Sequence, residues 1–491
     1  MAIQKIKQNK VSLGTDFANS NVAIVSAVSN VHSESNPIWG GHFGEGERIS
    51  KAALTTLDAD KRLYAITVES LRAQVRMNVK RNIIPASEGG KILEELAKIK
   101  NSIAEGSFAF SENDRNIYEA IDNHLDKNLG KTAGYLKVAR SKNEQIAGDL
   151  KIWIRDAYDT LDTSLQNLQA ALIDKAEENV KTTMPGYEHG QLAQPISLGH
   201  HLMAYVEMIG RDRAHIRDFR KILNKSPFGV GAIGGTAFNI NRDMVSRILG
   251  FDGITANSLD TVSDRDFTAD FLYFATMTSM HLSRYAEELL FWHNPNIGFI
   301  SFSETFVTPN PLTPYKRDLE SIEIVRGKTG NVYSSLHNVL TMLKSLPLGF
   351  TSDLFEVTKP VFDSYDALLN SINLIAAATA DFIVHRKEMK EAGQYGYSTA
   401  QDLQDWLIRE TGMNFGAATE STNKIIAYAV AKGKKLSLLE LDELQEIEPR
   451  INDDVYSVLI PSRSIISRRS AGGSNPVQVR KAIRAARRNY L

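Results

Sequence analysis

Three short stretches of this chain combine side chains able to move a proton or hold an anion. They are Met184–Pro195, which carries Glu188 and His189, Leu312–Arg317, which carries Lys316, and Ser321–Lys328, which carries Glu323. An imidazole exchanges protons near neutral pH, a carboxylate beside it fixes its tautomer and raises its pKa, and an ammonium stabilises developing negative charge. Taken singly, these residues carry little weight. A lone histidine beside a Pro-Gly loop is more often structural, and Lys316 alone reads as a surface lysine.

Other chemistries are poorly supplied. The chain has no cysteine, which excludes disulfides, a thiolate nucleophile and cysteine-ligated zinc or iron–sulfur sites. His200 and His201 are adjacent and would point in different directions on any helix, and no His/Asp/Glu cluster has ligand spacing. Neither a metal nor a cofactor is expected. Gly229, Gly231, Gly234 and Gly235 follow no strand and precede no Gly-Lys-Ser/Thr, so close packing between helices explains them better than a phosphate loop.

A net charge of -1 over 491 residues gives no bulk field, so neither nucleic acid nor a membrane surface is an expected partner. The N-terminal lysines lack an apolar h-region, and residues 372–384 are too short for a bilayer span and contain Asn373 and Asp381. A cytoplasmic location is expected. The basic tail from Val477 to Leu491 alternates with Val, Ile and Ala at helical spacing and reads as a solvated helix face.

The elements that must position the reactive groups read as mostly helix. No proline occurs between Pro85 and Pro185, or between Pro360 and Pro449. Leu150, Ile154, Ala157, Leu161, Leu165, Leu168 and Leu172 recur at steps of three and four, one stripe on a long helix. The stretch Phe267–Trp292 is apolar over much of its circumference, which suggests burial within a bundle. Proline and glycine cluster at 184–199, 226–236, 294–315 and 346–360, which read as loops. The first 35 residues are polar and weakly patterned, an extension that packs little.

Beyond the three opening stretches, ordered blocks recur along the chain: Trp39-Gly-Gly-His-Phe43, Ala139-Arg-Ser-Lys-Asn-Glu-Gln145, Pro227–Thr236, Asn257–Asp266, His281–Glu288, Asn452–Tyr456 and Gly472–Pro476. In order and spacing they resemble the argininosuccinate lyase family of the fumarase/aspartase superfamily. The resemblance implies a mostly α, three-domain fold with a central bundle of long helices. It implies a homotetramer with a twenty-helix core and active sites shared between subunits. The domains would be 1–138, 139–388 and 389–491. The implied reaction is a β-elimination that releases fumarate from a substituted succinate. A base removes a proton beside a carboxylate, charge builds there as an aci-form, and an acid helps the nitrogen leave.

Carried onto this sequence, His189 takes the place of the catalytic histidine and Glu323 that of the carboxylate that orients it. Lys316 matches the lysine of the mobile loop. Ser141 and Asn143 match substrate hydrogen-bonding residues, and Lys142 replaces an arginine, keeping charge but losing the bidentate fork. The departures concern chemistry. The loop serine that serves as base falls on Asn310, whose amide cannot take up a proton. The loop asparagine is Asp318, the threonine before the catalytic histidine is Glu188, and a substrate-proximal histidine is Tyr118. Glu188 and Asp318 add negative charge where a dicarboxylate would bind; two like charges ~4 Å apart repel by about 4 kcal/mol at an effective dielectric of roughly 20. Phe350 and Phe355 stand where a tyrosine and a glutamine hold the leaving amino acid, and would accept an apolar or aromatic group instead.

Three functions compete. The first is a C–N lyase of altered specificity, with Glu188 or Tyr118 as base and His189, Glu323 and Lys316 retained. The second is a non-catalytic structural or binding homologue. The third is true argininosuccinate cleavage, which would need Ser301 or Ser303 to reach the site.

Overall fold

The structure, a computed structural model, describes residues 55–111 and 114–491. The Trp39–Phe43 block and the polar extension lie outside the described residues. The first described unit packs α1 (Tyr64–Lys80), α2 (Ala86–Ala104) and α3 (Ile117–Leu129) around Val68, Leu71, Val75, Ile92, Leu96, Ile99, Ile121 and Leu125.

A second core follows from the leucine stripe. Helix α4 runs from Lys142 to Glu178, 37 residues or about 55 Å at 1.5 Å per residue. All seven stripe positions are at most 4% exposed. Each fully buried leucine contributes about 1.5–3 kcal/mol relative to an exposed one, so the stripe binds α4 firmly to its neighbours. After α4 the chain forms an antiparallel ribbon, β1 (Thr183–Glu188) with β2 (Gln191–Ser197). This corrects the loop expected at 184–199. Pro185 and Pro195 pair with each other, and a two-stranded ribbon tolerates prolines that a central strand would not.

The bundle is completed by α5 (Leu198–Leu223), α6 (Asp266–His293), α7 (Glu320–Leu343) and α8 (Thr358–Asp381). Helix α6 buries Phe267, Phe271, Phe274, Leu282, Tyr285, Leu289 and Trp292, as its apolar circumference predicted. Helix α8 starts inside the expected loop 346–360, because Pro360 lies in its first turn, where a missing N–H costs nothing.

A third core gathers Leu403, Trp406, Leu407, Ile425, Leu444 and Leu459 around α9 (Ala400–Thr411) and α10 (Phe415–Lys432). The basic tail forms α11 (Pro476–Tyr490), which turns Val479, Ile483 and Ala486 onto the bundle and leaves Arg480, Lys481, Arg484 and Arg488 exposed. Arg487 pairs with Asp174 and Glu177 of α4 at 2.7 Å. The tail is thus a solvated face on one side and a bundle contact on the other. Among the described residues, no helix is long and apolar enough to cross a membrane.

Candidate active site

The Ser141 block sits where a backbone turn becomes a long helix. Ser141 is the N-cap of α4: its hydroxyl accepts a hydrogen bond from Asn143 N at 3.2 Å, and Glu144 closes a capping box. Asn143 Nδ2 donates to Ala232 O at 3.4 Å, tying the helix start to the glycine-rich segment. That segment is held from below by Gly231 N, which donates to Glu144 Oε2 at 2.6 Å. The glycines are there for close approach: a Cβ on Gly231 would lie 2.5 Å from Gly235 O, and one on Gly148 would lie 2.4 Å from the Phe228 ring.

Five of the sequence-predicted substrate residues line one cavity of about 280 Å³: Tyr118, Lys142, Asn143, Phe350 and Phe355, with Ser141 beside it in the chain. Arg115, Asn116, Glu119, Ile146 and Ser352 complete the lining. Asn116 caps α3 through Glu119 N at 3.0 Å, so two helix N-termini, those of α3 and α4, open beside this cavity and favour an anion. Lys142 Nζ lies 3.7 Å from Glu119 Oε1, and Arg115 Nε donates to Glu119 Oε2 at 2.9 Å. Burial opposes ionisation of Glu119, but the Arg115 hydrogen bond and the Lys142 charge hold its carboxyl below the usual value. Two cations against one anion leave the cavity net positive. Arg115 and Glu119 were missed from sequence, although their i,i+4 spacing beside Tyr118 was a usable signal.

Tyr118 is 2% exposed. Burial, and then the nearby Asp149 and Asp60 carboxylates, push its phenol well above the ordinary value. A phenol held neutral donates a hydrogen bond; it does not act as a base at neutral pH. Phe350 and Phe355 meet edge to face, centroids 5.4 Å apart, and pack against the first core.

Glu188 and His189, the residues expected to act as base and acid, lie at the other end of α4. His189 and Gly190 form the two-residue tip of the β ribbon, both with left-handed backbone (φ 51 and 73), the geometry of a type I′ turn. A histidine at positive φ costs on the order of 1 kcal/mol, and this turn holds the imidazole 89% exposed, with Nε2 4.0 Å from Glu188 Oε1. Beneath the ribbon, Met184, Gly186, Glu188, His201, Glu288 and Trp292 line a second cavity of about 450 Å³. His201 Nε2 and Glu288 Oε2 are 2.5 Å apart there.

The loop ahead of α7 brings together Asn310, Lys316 and Asp318. Thr308–Pro309 pairs with Arg317–Asp318, Lys316 Nζ is 3.4 Å from Asp318 Oδ1, and Asn310 Nδ2 donates to Asp318 Oδ2 at 3.4 Å. The Asn310 oxygen accepts from Leu312 N and Thr313 N, which fixes the amide in a turn. Glu323 is exposed on the first turns of α7. Within one protomer no hydrogen bond or ion pair among the described residues joins it to His189. Ser301 is held by His385 Nε2 at 2.9 Å, and Ser303 N donates to Asp381 Oδ2 at 2.9 Å. Both serines are therefore anchored at the base of the loop, away from its tip.

The loop tip, the ribbon tip and Glu323 share one end of the bundle, where Tyr187 and Phe291 meet at 6.1 Å. The Lys142 cavity occupies the opposite end. A six-residue strand reaches at most about 20 Å, so the ribbon cannot return along a helix of about 55 Å. In one chain the two halves stay apart. Among the described residues, no group of three or more His, Cys, Asp or Glu side chains could hold a metal ion.

This long-helix bundle with helical units around it is the fold of the fumarase/aspartase superfamily of lyases. An EDDS lyase solved with formate superposes with TM-score 0.79 at 24% identity, covering 91% of this chain and 90% of that one. The 3-carboxy-cis,cis-muconate lactonizing enzyme from Pseudomonas putida superposes at TM-score 0.71 and 15% identity, covering 91% and 100%. Fumarate lyase from Mesorhizobium sp. BNC1 gives 0.69 and 15%, covering 90% and 99%. The Lyase family matches residues 46–333, and the Argininosuccinate lyase C-terminal family matches 397–466. The chain belongs to the Lyase family, as a member similar to argininosuccinate lyases.

Proposed function

We propose that this protein is a C–N lyase that eliminates an amine from a substituted succinate and releases a fumarate-type product at a site assembled from neighbouring subunits. The cavity at the N-termini of α3 and α4 carries the reading. It gathers Lys142, Asn143 and Arg115 around a space that favours a carboxylate, with a neutral Tyr118 as donor and Phe350 and Phe355 as an apolar wall. His189, oriented by Glu323 of another subunit, would protonate the leaving nitrogen. Glu188 is the remaining candidate for the base, and Lys316 for the cation facing the aci-carboxylate.

The face of α7 supports assembly. It buries only Ile322, Val325, Val332 and Val339 and leaves Ile324, Tyr333 and Leu340 more than half exposed, an apolar surface that a homotetramer would cover. An EDDS lyase variant has been solved with bound fumarate, in keeping with a fumarate-type product here. Altered specificity follows from Asn310 in place of a serine base and from the two phenylalanines. The test is fumarate release, followed by ultraviolet absorbance, from a panel of N-substituted aspartates; release from none of them removes the proposal. One observation favours the non-catalytic alternative: Lys316 is tied to Asp318, which a productive loop would have to undo.

A further inference from the structure

We propose a second ligand site, for a small aromatic carboxylate, in the cleft between residues 394–399 and 433–437. Tyr395, Tyr397, Lys434, Lys435, Leu436 and Leu459 line a cavity of about 280 Å³ there, room for a one-ring ligand. The two lysines differ. Lys434 Nζ is occupied by both oxygens of Glu443 at 3.0 and 2.8 Å. Lys435 Nζ has a neutral partner, Gln394 Oε1 at 2.9 Å, and lies 5.2 Å from the Tyr395 ring centre. Among the described residues no carboxylate lines the cleft, so within them Lys435 offers uncompensated positive charge next to an aromatic face. An aromatic anion meets both groups at once, its carboxylate on the ammonium and its ring on Tyr395.

The cleft wall is built with strain. Gly396 and Tyr397 are both left-handed (φ 65 and 57), a costly conformation for an aromatic residue. Tyr397 Oη then donates to Lys434 O at 3.5 Å across the cleft. The same wall touches the ribbon that carries His189. A Cβ on Gly396 would lie 3.5 Å from Leu192 Cδ2, and Gln194 donates to Gln401. Leu192 is paired with Tyr187, two residues before the tip. Filling the cleft therefore restrains the ribbon.

Benzoate is the probe. Because the Lys142 cavity also favours a carboxylate beside aromatic rings, calorimetry is run on Lys142→Ala, where the cleft should give one saturable event per chain in the millimolar range. Added to that variant, Lys435→Ala and Tyr395→Ala should each weaken the event about tenfold. Hydrogen exchange of residues 184–197 should slow in saturating benzoate. No saturable heat with Lys142→Ala, or equal binding after Lys435→Ala is added, would overturn the site. Binding without slower exchange would overturn the link to the ribbon. Neither readout needs turnover, so the result is independent of the proposed elimination.

Discussion

Lys316 and Asp318 face each other at 3.4 Å on the loop before α7, and Asn310 donates to the far oxygen of the same carboxylate. The extra acidic residue that sequence placed beside a dicarboxylate is thus balanced by the very lysine expected to meet the substrate. Asp318→Asn frees that lysine and removes a like charge. With screening, a gain of about 1 kcal/mol is expected, so KM for a substituted succinate should fall about fivefold. Steady-state kinetics at two ionic strengths checks this; a KM that rises shows that Asp318 is needed to position Lys316.

Glu144 and Asp149 make stability depend on pH. Burial pushes Glu144 up to about 7, against lowering hydrogen bonds from the Gly231, Gly229 and Ser141 backbones and the Gln74 side chain. Burial lifts Asp149 to about 7 as well, against Ser70, Thr67, Arg140 and Gln145. Unfolded, both ionise near pH 4. Between about pH 4 and pH 7 the folded state therefore holds more protons, and the stability due to each group falls as pH rises, by about 1.4 kcal/mol per unit. Denaturant midpoints for wild type and Glu144→Gln should converge as pH drops from 7 to 5 if stability is compared as a difference from the variant. A wild-type advantage that grows with pH contradicts the assignment.

Gly148→Ala tests the seat of the Ser141 block. Its new methyl would sit 2.4 Å from the Phe228 ring, and overpacking of this kind costs about 1–3 kcal/mol. Equilibrium unfolding should register that loss, with a larger loss of turnover because α4 begins only six residues earlier. An unchanged midpoint shows that Phe228 moves aside freely.

Phe350 and Phe355 should set the preference for the leaving amine. Phe355→Gln is expected to shift the kcat/KM ratio between aromatic and zwitterionic leaving groups by about tenfold toward the zwitterion, since a buried polar contact of this type is worth on the order of 1–2 kcal/mol. A ratio that does not move assigns the pair to packing alone.

What could be read in the sequence follows from range. The stripe from Leu150 to Leu172 and the helix Asp266–His293 were legible because their information is local and periodic. The ribbon at Thr183–Ser197 was not, because Pro185, Gly186 and Pro195 look like loop residues until the partner strand is known. Of the candidate site, Tyr118, Lys142, Asn143, Phe350 and Phe355 were singled out in the sequence and line one cavity. Arg115 and Glu119 were not picked out, and neither was the pairing of Lys316 with Asp318, since no pattern announces which of several nearby charges will pair. The stripe did show a long helix between Asn143 and His189, though not its full 37 residues.

That separation makes the central claim testable with two variants. Asn143→Ala removes one half of the proposed site and His189→Asn the other, and each alone should be inactive. Unfolded together and refolded as mixed assemblies, they should recover about a quarter of wild-type fumarate release, because a site drawing each half from a different subunit is intact when both halves are wild type. Recovery near that level is the predicted result. No recovery from correctly assembled mixtures would contradict a shared site and, with it, the proposed elimination.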